Sequence, residues 1–461
     1  MTKPLFNEFP EVSSKQWKQK IQVDLKGADY NDTLIWNTNE GIDVKPFYHS
    51  DEFDEFNTIP KTKTTWKIGE TIIVDTAVEA NSKAIDSLQR GTEALTFVIT
   101  QSDIDIQQLL KGIDLDAIPV HLETTFLSDK FVTSSMDTEP SRSAIEKSHL
   151  YFNTDIIHNL AKSGNWYSNL KKDHLSFEAI VKSTNQITVD ATLYQNAGAT
   201  IIQQLAYALA HANEYLNHFE TRLDEKSKST LTYVFKVSVG TNYFFEIAKL
   251  RALRLLWQSL ASEYNINSSC KIIAQPSKRN KTIYDYNTNM LRTTTECMSA
   301  ILGGADEVYN LPYDAIYHNP NEFGDRISRN QLLVLKRESY FDKVENASDG
   351  AYYIESLTEQ LANKALELFK DIESNGGFLS QLKEGTIQRK IKESAAKEQE
   401  QFNDGTLVLL GTNKHPNTND KMKDNLEIDP FLQKTKRKTL IEPIIEKRLS
   451  ETTEKERLKD E

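Results

Sequence analysis

Two alternating patterns of apolar residues fill the chain between about residues 80 and 375. Short runs rich in β-branched and aromatic residues are typical of buried strands, and longer stretches with apolar residues three or four apart are typical of helices. The seven clearest predicted strands are 94–100, 118–123, 149–153, 186–192, 231–239, 271–274 and 307–310. A weaker eighth strand is predicted at 352–354.

Two helices between these strands are predicted from their apolar stripes. The first stripe comprises Ile201, Leu205, Leu209, Ala212 and Leu216, and the second Phe244, Ala248, Arg251, Leu255 and Leu256. Alternating strands and helices predict parallel βαβ units, and about eight of them suit an α/β fold of the (β/α)8 TIM barrel type. A doubly wound open sheet is the alternative. Its nucleotide-binding versions lack support, because the sequence has neither G-x-G-x-x-G after the first strand nor a P-loop.

The segments outside the barrel have a different character. Residues 1–60 are interpreted as an arm, with a helix at 14–25 and irregularly spaced aromatics. Such aromatics favour packing onto another surface, either a partner subunit or the chain's own barrel. Residues 61–380 are assigned to the barrel and 381–461 to a C-terminal linker and helical tail. In the tail, 391–401 is predicted as an exposed helix and 451–461 as a frayed, charged end.

Composition restricts the function further. The formal net charge of −12 over 461 residues argues against non-specific binding to nucleic acid or to anionic membranes. No uncharged apolar run approaches the ~20 residues of a membrane span. The two cysteines, Cys270 and Cys297, cannot form a disulfide framework and favour a reducing compartment, so a cytoplasmic protein is expected.

The residues alone do not form a recognisable catalytic motif. None of the nine histidines has the spacing of a zinc hydrolase, and a surface or structural role is favoured for each. The sequence lacks a G-x-S-x-G elbow. Gly303 and Gly304 most simply end a helix. Asp103 and Asp105 lie at a predicted helix start, where they stabilise the helix dipole.

Four stretches in a fixed order resemble the methylmalonyl-CoA mutase family. They are QNAGA at 195–199, FFEIAKLRALRLLW at 244–257, NMLRTTTE at 289–296 and RISRN at 326–330. Residues 25–42 resemble the family's N-terminal arm, so the resemblance extends from the arm to about residue 380. It implies a barrel that binds acyl-CoA along its axis, and a separate C-terminal domain that holds adenosylcobalamin.

The sequence departs from this family at its reactive positions. Leu193 replaces the histidine that, in the family's catalytic subunit, hydrogen-bonds the migrating thioester carbonyl. Residues 66–71 lack the family's substrate-contacting tyrosine, and 271–278 match only in part. The cobalamin-ligating D-x-H-x-x-G is absent, and the sequence ends before that domain would begin.

The resemblance therefore implies the non-catalytic small (beta) subunit of a heterodimer. A catalytic large subunit would carry adenosylcobalamin, bind acyl-CoA and interconvert methylmalonyl-CoA and succinyl-CoA, while this chain binds no cofactor or metal. The vestigial positions expected at the barrel mouth are Leu193, at the end of the fourth predicted strand, and Gln195, Asn196, Gln275 and Ser277. Two alternatives remain: a barrel-only mutase subunit with a separate cobalamin subunit, and a non-enzymatic acyl-CoA-binding module.

Overall fold

Eight parallel strands form a nearly closed barrel in the computed structural model, which describes residues 10–56, 58–60, 65–137, 149–266, 269–431 and 437–461. The strands are β1 (Lys67–Val74), β2 (Ala94–Ile99), β3 (Val120–Thr124), β4 (Leu150–Phe152), β5 (Gln186–Asp190), β6 (Thr232–Val239), β7 (Lys271–Pro276) and β8 (Glu307–Tyr309). The hydrogen-bonded order is β4-β3-β2-β1-β8-β7-β6-β5. The Gln186 side chain bridges the remaining gap, because it accepts from Phe152 N at 2.9 Å and donates to Leu150 O at 2.9 Å.

Helices surround the barrel and also occur in the arm and the tail. The α-helices are α1 (Ser14–Asp24), α2 (Tyr30–Leu34), α3 (Ala77–Gln89), α4 (Ile106–Leu110), α5 (Asp129–Asp137), α6 (Ile156–Ser163), α7 (Leu170–Thr184), α8 (Thr192–Asn196), α9 (Ile201–Phe219), α10 (Glu225–Thr230), α11 (Tyr243–Glu263), α12 (Thr288–Leu302), α13 (Glu322–Leu333), α14 (Tyr352–Ser374), α15 (Phe378–Glu384), α16 (Thr386–Asp404) and α17 (Glu451–Asp460). The arm adds a short antiparallel pair of strands, Trp36–Asn37 and Asp43–Val44.

The TIM barrel prediction is confirmed, with one strand misplaced. The seven clear predicted strands correspond to β2 through β8. The predicted strand at 352–354 is wrong, because these residues begin the 23-residue helix α14. The strand that completes the barrel is β1, so Leu193 follows the fifth barrel strand rather than the fourth.

The two predicted helices are present, but the second is not amphipathic. In α9, all five residues of the predicted stripe are buried. In α11, Phe244 is 47% exposed, whereas Glu246, Lys249 and Arg254 are buried. Helix α11 packs against α14 on one side and α12 on another, so its charged residues are enclosed as well. Arg254, for example, pairs with Asp306 at 2.8 Å.

The arm docks on the chain's own barrel and leaves part of its aromatic surface free. The Glu40 carboxylate accepts from the backbone N of Ile201 at 2.8 Å and of Ile202 at 2.9 Å, at the start of α9. Trp17 stacks on Phe47, with ring centroids 4.5 Å apart. Trp17 nevertheless remains 45% exposed.

The tail runs over the loops that follow several barrel strands. Ile444 N donates to Ala161 O beyond β4, Lys447 N to Asn196 O beyond β5, and Leu449 N to Arg279 O beyond β7. The predicted fraying of 451–461 is wrong, since these residues form α17. Its Glu454 is 2% exposed and accepts from Ile283 N at 3.0 Å.

A buried carboxylate lies among polar side chains in the interior of the barrel. The Glu307 carboxylate contacts His121 Nε2 at 2.9 Å, Lys271 Nζ at 2.5 Å and the Tyr309 hydroxyl at 3.0 Å. Tyr151 stacks on His121, with centroids 4.7 Å apart. Burial opposes ionisation of Glu307, but His121 and Lys271 outweigh burial and hold its pKa below the usual range.

The interior carboxylate gives the fold a defined pH dependence. Because the pKa of Glu307 is lowered on folding, its ionisation contributes stability that is fully present above the unfolded-state pKa of about 4.3. That contribution is lost gradually as the pH falls from this value towards the lower folded-state pKa. Glu307→Gln should cost about 3–5 kcal/mol near neutral pH, because it leaves buried cations without their partner.

Urea unfolding at about pH 7 and about pH 4 measures this effect, and the gap between the wild type and Glu307→Gln should narrow at the lower pH. The matched control is Glu359→Gln on the exposed face of α14, which should change stability by less than about 0.5 kcal/mol. A gap of equal size at both pH values would contradict the role of the ionised carboxylate.

Candidate functional site at the carboxyl ends of the strands

The segment after β5 is a short helix set by hydrogen bonds to Asp190. The Asp190 carboxylate accepts from Thr192 N at 3.1 Å and also from the Thr192 hydroxyl. It pairs with Lys236 at 3.2 Å on the neighbouring strand β6. Burial opposes ionisation, but Lys236 and His158 hold the pKa of Asp190 below its usual range. The contacts of the Asp190 carboxylate with Lys236 and Thr192 thus fix the end of β5 and position the start of α8.

Leu193 lies in α8 and is 1% exposed, within the main apolar cluster of the protein. It does not line the cavity described below. Gln275 lies near the end of β7, where it is half-buried and shares the inward strand face with Ile273. Neither side chain therefore belongs to the polar cluster around Gln195.

Gln195 is part of a buried cluster with two charged residues of α11. Lys249 Nζ donates to Gln195 Oε1 at 2.9 Å and to the Ser238 carbonyl at 2.7 Å, and it also pairs with Glu246. Gln195 Nε2 donates to Glu246 Oε1 at 3.0 Å. Burial lowers the pKa of Lys249, and Glu246 opposes that shift. The charges are balanced within the cluster.

A glycine makes this close packing feasible. A Cβ atom at Gly240 would lie 2.3 Å from Gln195 Nε2, much closer than van der Waals contact. Gly240 N instead donates to Glu246 Oε1 at 2.8 Å. The loop after β6 must therefore lack a side chain at this position.

Asn196 and Ser277 tie three segments together. Asn196 Oδ1 accepts from the Ser277 hydroxyl at 2.9 Å and from Lys278 N at 3.0 Å. Asn196 Nδ2 donates to Glu446 in the tail at 2.9 Å. These contacts join the loops beyond β5 and β7 to the tail, which is a structural role.

A cavity of about 550 Å³ lies beside these residues. Its walls come from the arm at 36–40, from the loops beyond β5, β6 and β7, and from α16 with the segment that follows it. Of the five predicted mouth positions, Gln195 and Ser277 line this cavity, and Leu193, Asn196 and Gln275 do not.

A second buried cluster, centred on Asp155, was not predicted from the sequence. Asp155 Oδ1 contacts His211 Nε2 at 3.0 Å and accepts from the Tyr215 hydroxyl at 2.7 Å. The Tyr194 hydroxyl lies 3.0 Å from His211 Nδ1. Burial opposes ionisation, but His211 lowers the pKa of Asp155. The residues come from distant parts of the chain, so sequence spacing offered no signal. His211 is fully buried with a partner at each ring nitrogen, and its expected structural role stays a prediction.

Neither a metal site nor a membrane span is found in the part of the chain that the structure describes. No group of three or more His, Cys, Asp or Glu side chains there could hold a metal ion. No helix in the described ranges is long and apolar enough to cross a bilayer.

Known proteins resemble this chain over most of its length. The family model described as methylmalonyl-CoA mutase matches residues 98–460. The methylmalonyl-CoA mutase small subunit of Porphyromonas gingivalis is 32% identical, over 92% of this chain and 73% of that protein. The small subunit of Streptomyces virginiae is 26% identical, over 89% of this chain and 71% of that protein. The large subunit of the same organism is 26% identical, but this chain covers only 64% of its length.

The family match extends over most of the barrel and the tail. A family model that spans residues 98–460 includes every barrel strand from β3 to β8 and extends to the end of α17. The chain therefore belongs to the methylmalonyl-CoA mutase family.

Proposed function

We propose that this chain is the structural, non-catalytic small subunit of a heterodimeric methylmalonyl-CoA mutase. A large subunit that carries adenosylcobalamin would interconvert methylmalonyl-CoA and succinyl-CoA, and this chain would support it by binding to it. Relatives named as small and large subunits in Streptomyces virginiae support a two-chain assembly.

The interior of the barrel is the observation that carries the proposal. A pantetheine chain that passes along the barrel axis needs an open passage, and here His121 and Glu307 are fully buried on the inward face. Tyr309 and Ile273 add a second contact layer with Val234 and Ala94. Removing these groups from the axis would separate a buried ion pair, which is costly.

The residues around α8 also support a non-catalytic role. A carbonyl donor must present a polar hydrogen within hydrogen-bond reach of the substrate. Leu193 has none, and its side chain is enclosed by apolar neighbours.

Cobalamin, the cofactor of the family, does not fit the two fully buried histidines, His121 and His211. A histidine that ligates cobalt needs a free ring nitrogen and an approach to the metal. Both ring nitrogens of His211 face partners, Tyr194 and Asp155, and His121 is enclosed between Asn153 and Glu307. No step of the reaction is therefore assigned to a cobalamin on these residues.

The first prediction concerns activity. The purified chain, supplied with adenosylcobalamin and methylmalonyl-CoA, should show no turnover, because it lacks the carbonyl donor and a cobalt ligand. Losing one preorganised donor alone costs about 10²–10³ in rate. The assay is succinyl-CoA formation by this chain, by its large subunit and by both together. Turnover by this chain free of partner would refute the proposal.

The second prediction concerns the arm. Trp17, Trp36, Phe47 and Tyr48 are expected to contact the large subunit, and Trp17 and Trp36 are 45% and 52% exposed in the isolated chain. Deleting 1–60 would also remove Glu40 from α9, so Trp17→Ala is the cleaner variant. It should weaken the heterodimer at least about tenfold, because interface tryptophans are frequent hot spots.

Affinity for the large subunit, measured by surface plasmon resonance, tests this prediction. Leu175→Ala is the matched control, because Leu175 is a 57% exposed apolar residue on α7, away from the arm. Equal affinity of the wild type and Trp17→Ala would mean that Trp17 serves only the chain's own fold.

The third prediction is that Leu193→His does not restore activity. The imidazole would enter an apolar site, at a cost of about 1–3 kcal/mol for an unsatisfied donor. The axis would still be filled by Glu307 and its partners. The test pairs this variant with a large subunit whose own catalytic histidine is removed. Recovery of measurable turnover would show that this barrel can still act as an active site, and it would refute the proposal that the chain is non-catalytic.

A further inference from the structure

Two histidines face each other where side chains of α7 and α9 meet. The rings of His174 on α7 and His218 on α9 have centroids 5.0 Å apart. Beside them, Phe177 of α7 packs on Tyr215 and Phe219 of α9, with centroids 4.6 Å and 5.8 Å away. The two imidazoles are therefore part of a largely aromatic contact, which accommodates neutral rings better than charged ones.

Each of the two rings can take up a proton. His174 Nδ1 lies 2.8 Å from the Leu170 carbonyl oxygen and must donate to it, because that oxygen only accepts. A neutral His174 therefore leaves its Nε2 unprotonated. His218 Nε2 is buried and has no hydrogen-bond partner among the described residues. Two imidazolium ions placed this close would repel each other.

The carboxylate beside the pair already serves two cations. Glu178 accepts from Lys182 Nζ at 2.6 Å and lies 3.5 Å from Arg222 Nε. A protonated His218, whose Nε2 lies 3.8 Å from Glu178, would be a third cation on this one carboxylate. The other carboxylates near the pair already accept backbone N–H groups, and they are Asp173 on α7 and Glu214 on α9.

The histidine pair consequently resists protonation. Burial, Arg222 and His174 together lower the pKa of His218 to about 4, although Glu178 opposes the shift. Burial also lowers the pKa of His174. A histidine in an opened segment has a pKa of about 6.5. The packed state is thus favoured while the rings are neutral, and it loses stability relative to an opened state as the pH falls from about 6.5 towards the lower folded-state value.

The loop after α6 connects the histidine pair to the tail. The Trp166 ring contacts His174 at an angle, with centroids 5.4 Å apart. In the same loop, the Gly164 carbonyl oxygen accepts from Leu440 N at 2.9 Å and from Ile441 N at 3.1 Å. A Cβ atom at Gly164 would lie 2.7 Å from the Ile441 carbonyl oxygen, so the loop and the tail are in close contact. A movement of α7 that displaces Trp166 would disturb these two hydrogen bonds.

We propose that the His174–His218 pair is an acid-sensitive contact that controls the docking of the tail. While both rings are neutral, α7 stays packed on α9 and the tail stays bound to the loop after α6. Protonation of the pair separates α7 from α9 and releases the tail segment around Leu440. The tail also binds the loops beyond β5 and β7, so its release would uncover the carboxyl ends of these strands. This behaviour belongs to the chain alone and is independent of the subunit role proposed above.

Hydrogen–deuterium exchange of the full chain at pH 7 and pH 5 tests the proposal. Protection factors, which correct for the intrinsic pH dependence of exchange, should fall at least about twentyfold in α7 and at 439–445. A histidine whose pKa is about 6.5 when opened and about 4 when packed changes the opening constant by this factor over that range. The strand β6 reports global unfolding, and its protection should fall less.

Variants that cannot be protonated separate this contact from other effects of acid. The double variant His174→Gln and His218→Gln should limit the fall in protection at these two segments to less than about threefold. His415→Asn is the matched control, because His415 is exposed in the tail and asparagine tolerates its positive φ of 51°. This control should behave as the wild type does.

Histidine NMR of the wild-type chain provides a test that does not depend on the folding of the double variant. The His218 signal, assigned by its loss in His218→Gln, should titrate well below pH 6.5. An ordinary pKa for His218, an equal fall in protection in the wild type and a folded double variant, or an equal fall in β6 would each overturn the proposal.

Discussion

The balance of charge around Glu307 is the constraint on which the barrel depends. An ionised carboxylate in a closed interior is unfavourable unless cations and donors surround it, and here His121, Lys271 and Tyr309 do so from three strands. The strands must then keep one register, because a shift of one residue would turn these side chains outward. The interior side chains therefore fix the register of the strands, and they also occupy the barrel axis.

The arm and the tail likewise supply partners for polar groups at the carboxyl ends of the strands. Glu40 of the arm neutralises the N-terminus of α9, and the tail places Glu446 and Leu449 on the loops beyond β5 and β7. Helices and loops that would otherwise present unpaired backbone groups are thus covered by distant parts of the chain. The cavity beside Gln195 is what remains between these covers.

The sequence predicted the barrel because periodicity reports burial, and its errors have physical causes. The strand β1 was missed because 66–71 was interpreted through a family motif, and the apolar residues that continue the strand, Ile72 and Val74, were not considered with it. The strand at 352–354 was predicted because Tyr and Ile have high strand propensity, but these residues form the first turn of α14. The site was harder to predict from the sequence. Gln195 and Ser277 were expected at the barrel mouth and line the cavity there. The contacts of Lys249 and Asp155 join distant segments, which no local pattern reveals.

The stretch 244–257, which carries the strongest family resemblance, explains why the scaffold of a family member remains recognisable. Glu246 and Lys249 support the loops beyond β5 and β6, and Arg251 pairs with Glu355 at 2.6 Å on α14. Each charge is buried, so replacing one partner alone would leave an uncompensated ion. Such pairs can change only together, whereas a substitution at Leu193, which lies in the main apolar cluster, leaves no uncompensated ion. The scaffold of this barrel is therefore constrained by its own electrostatics, independently of any reaction at its mouth.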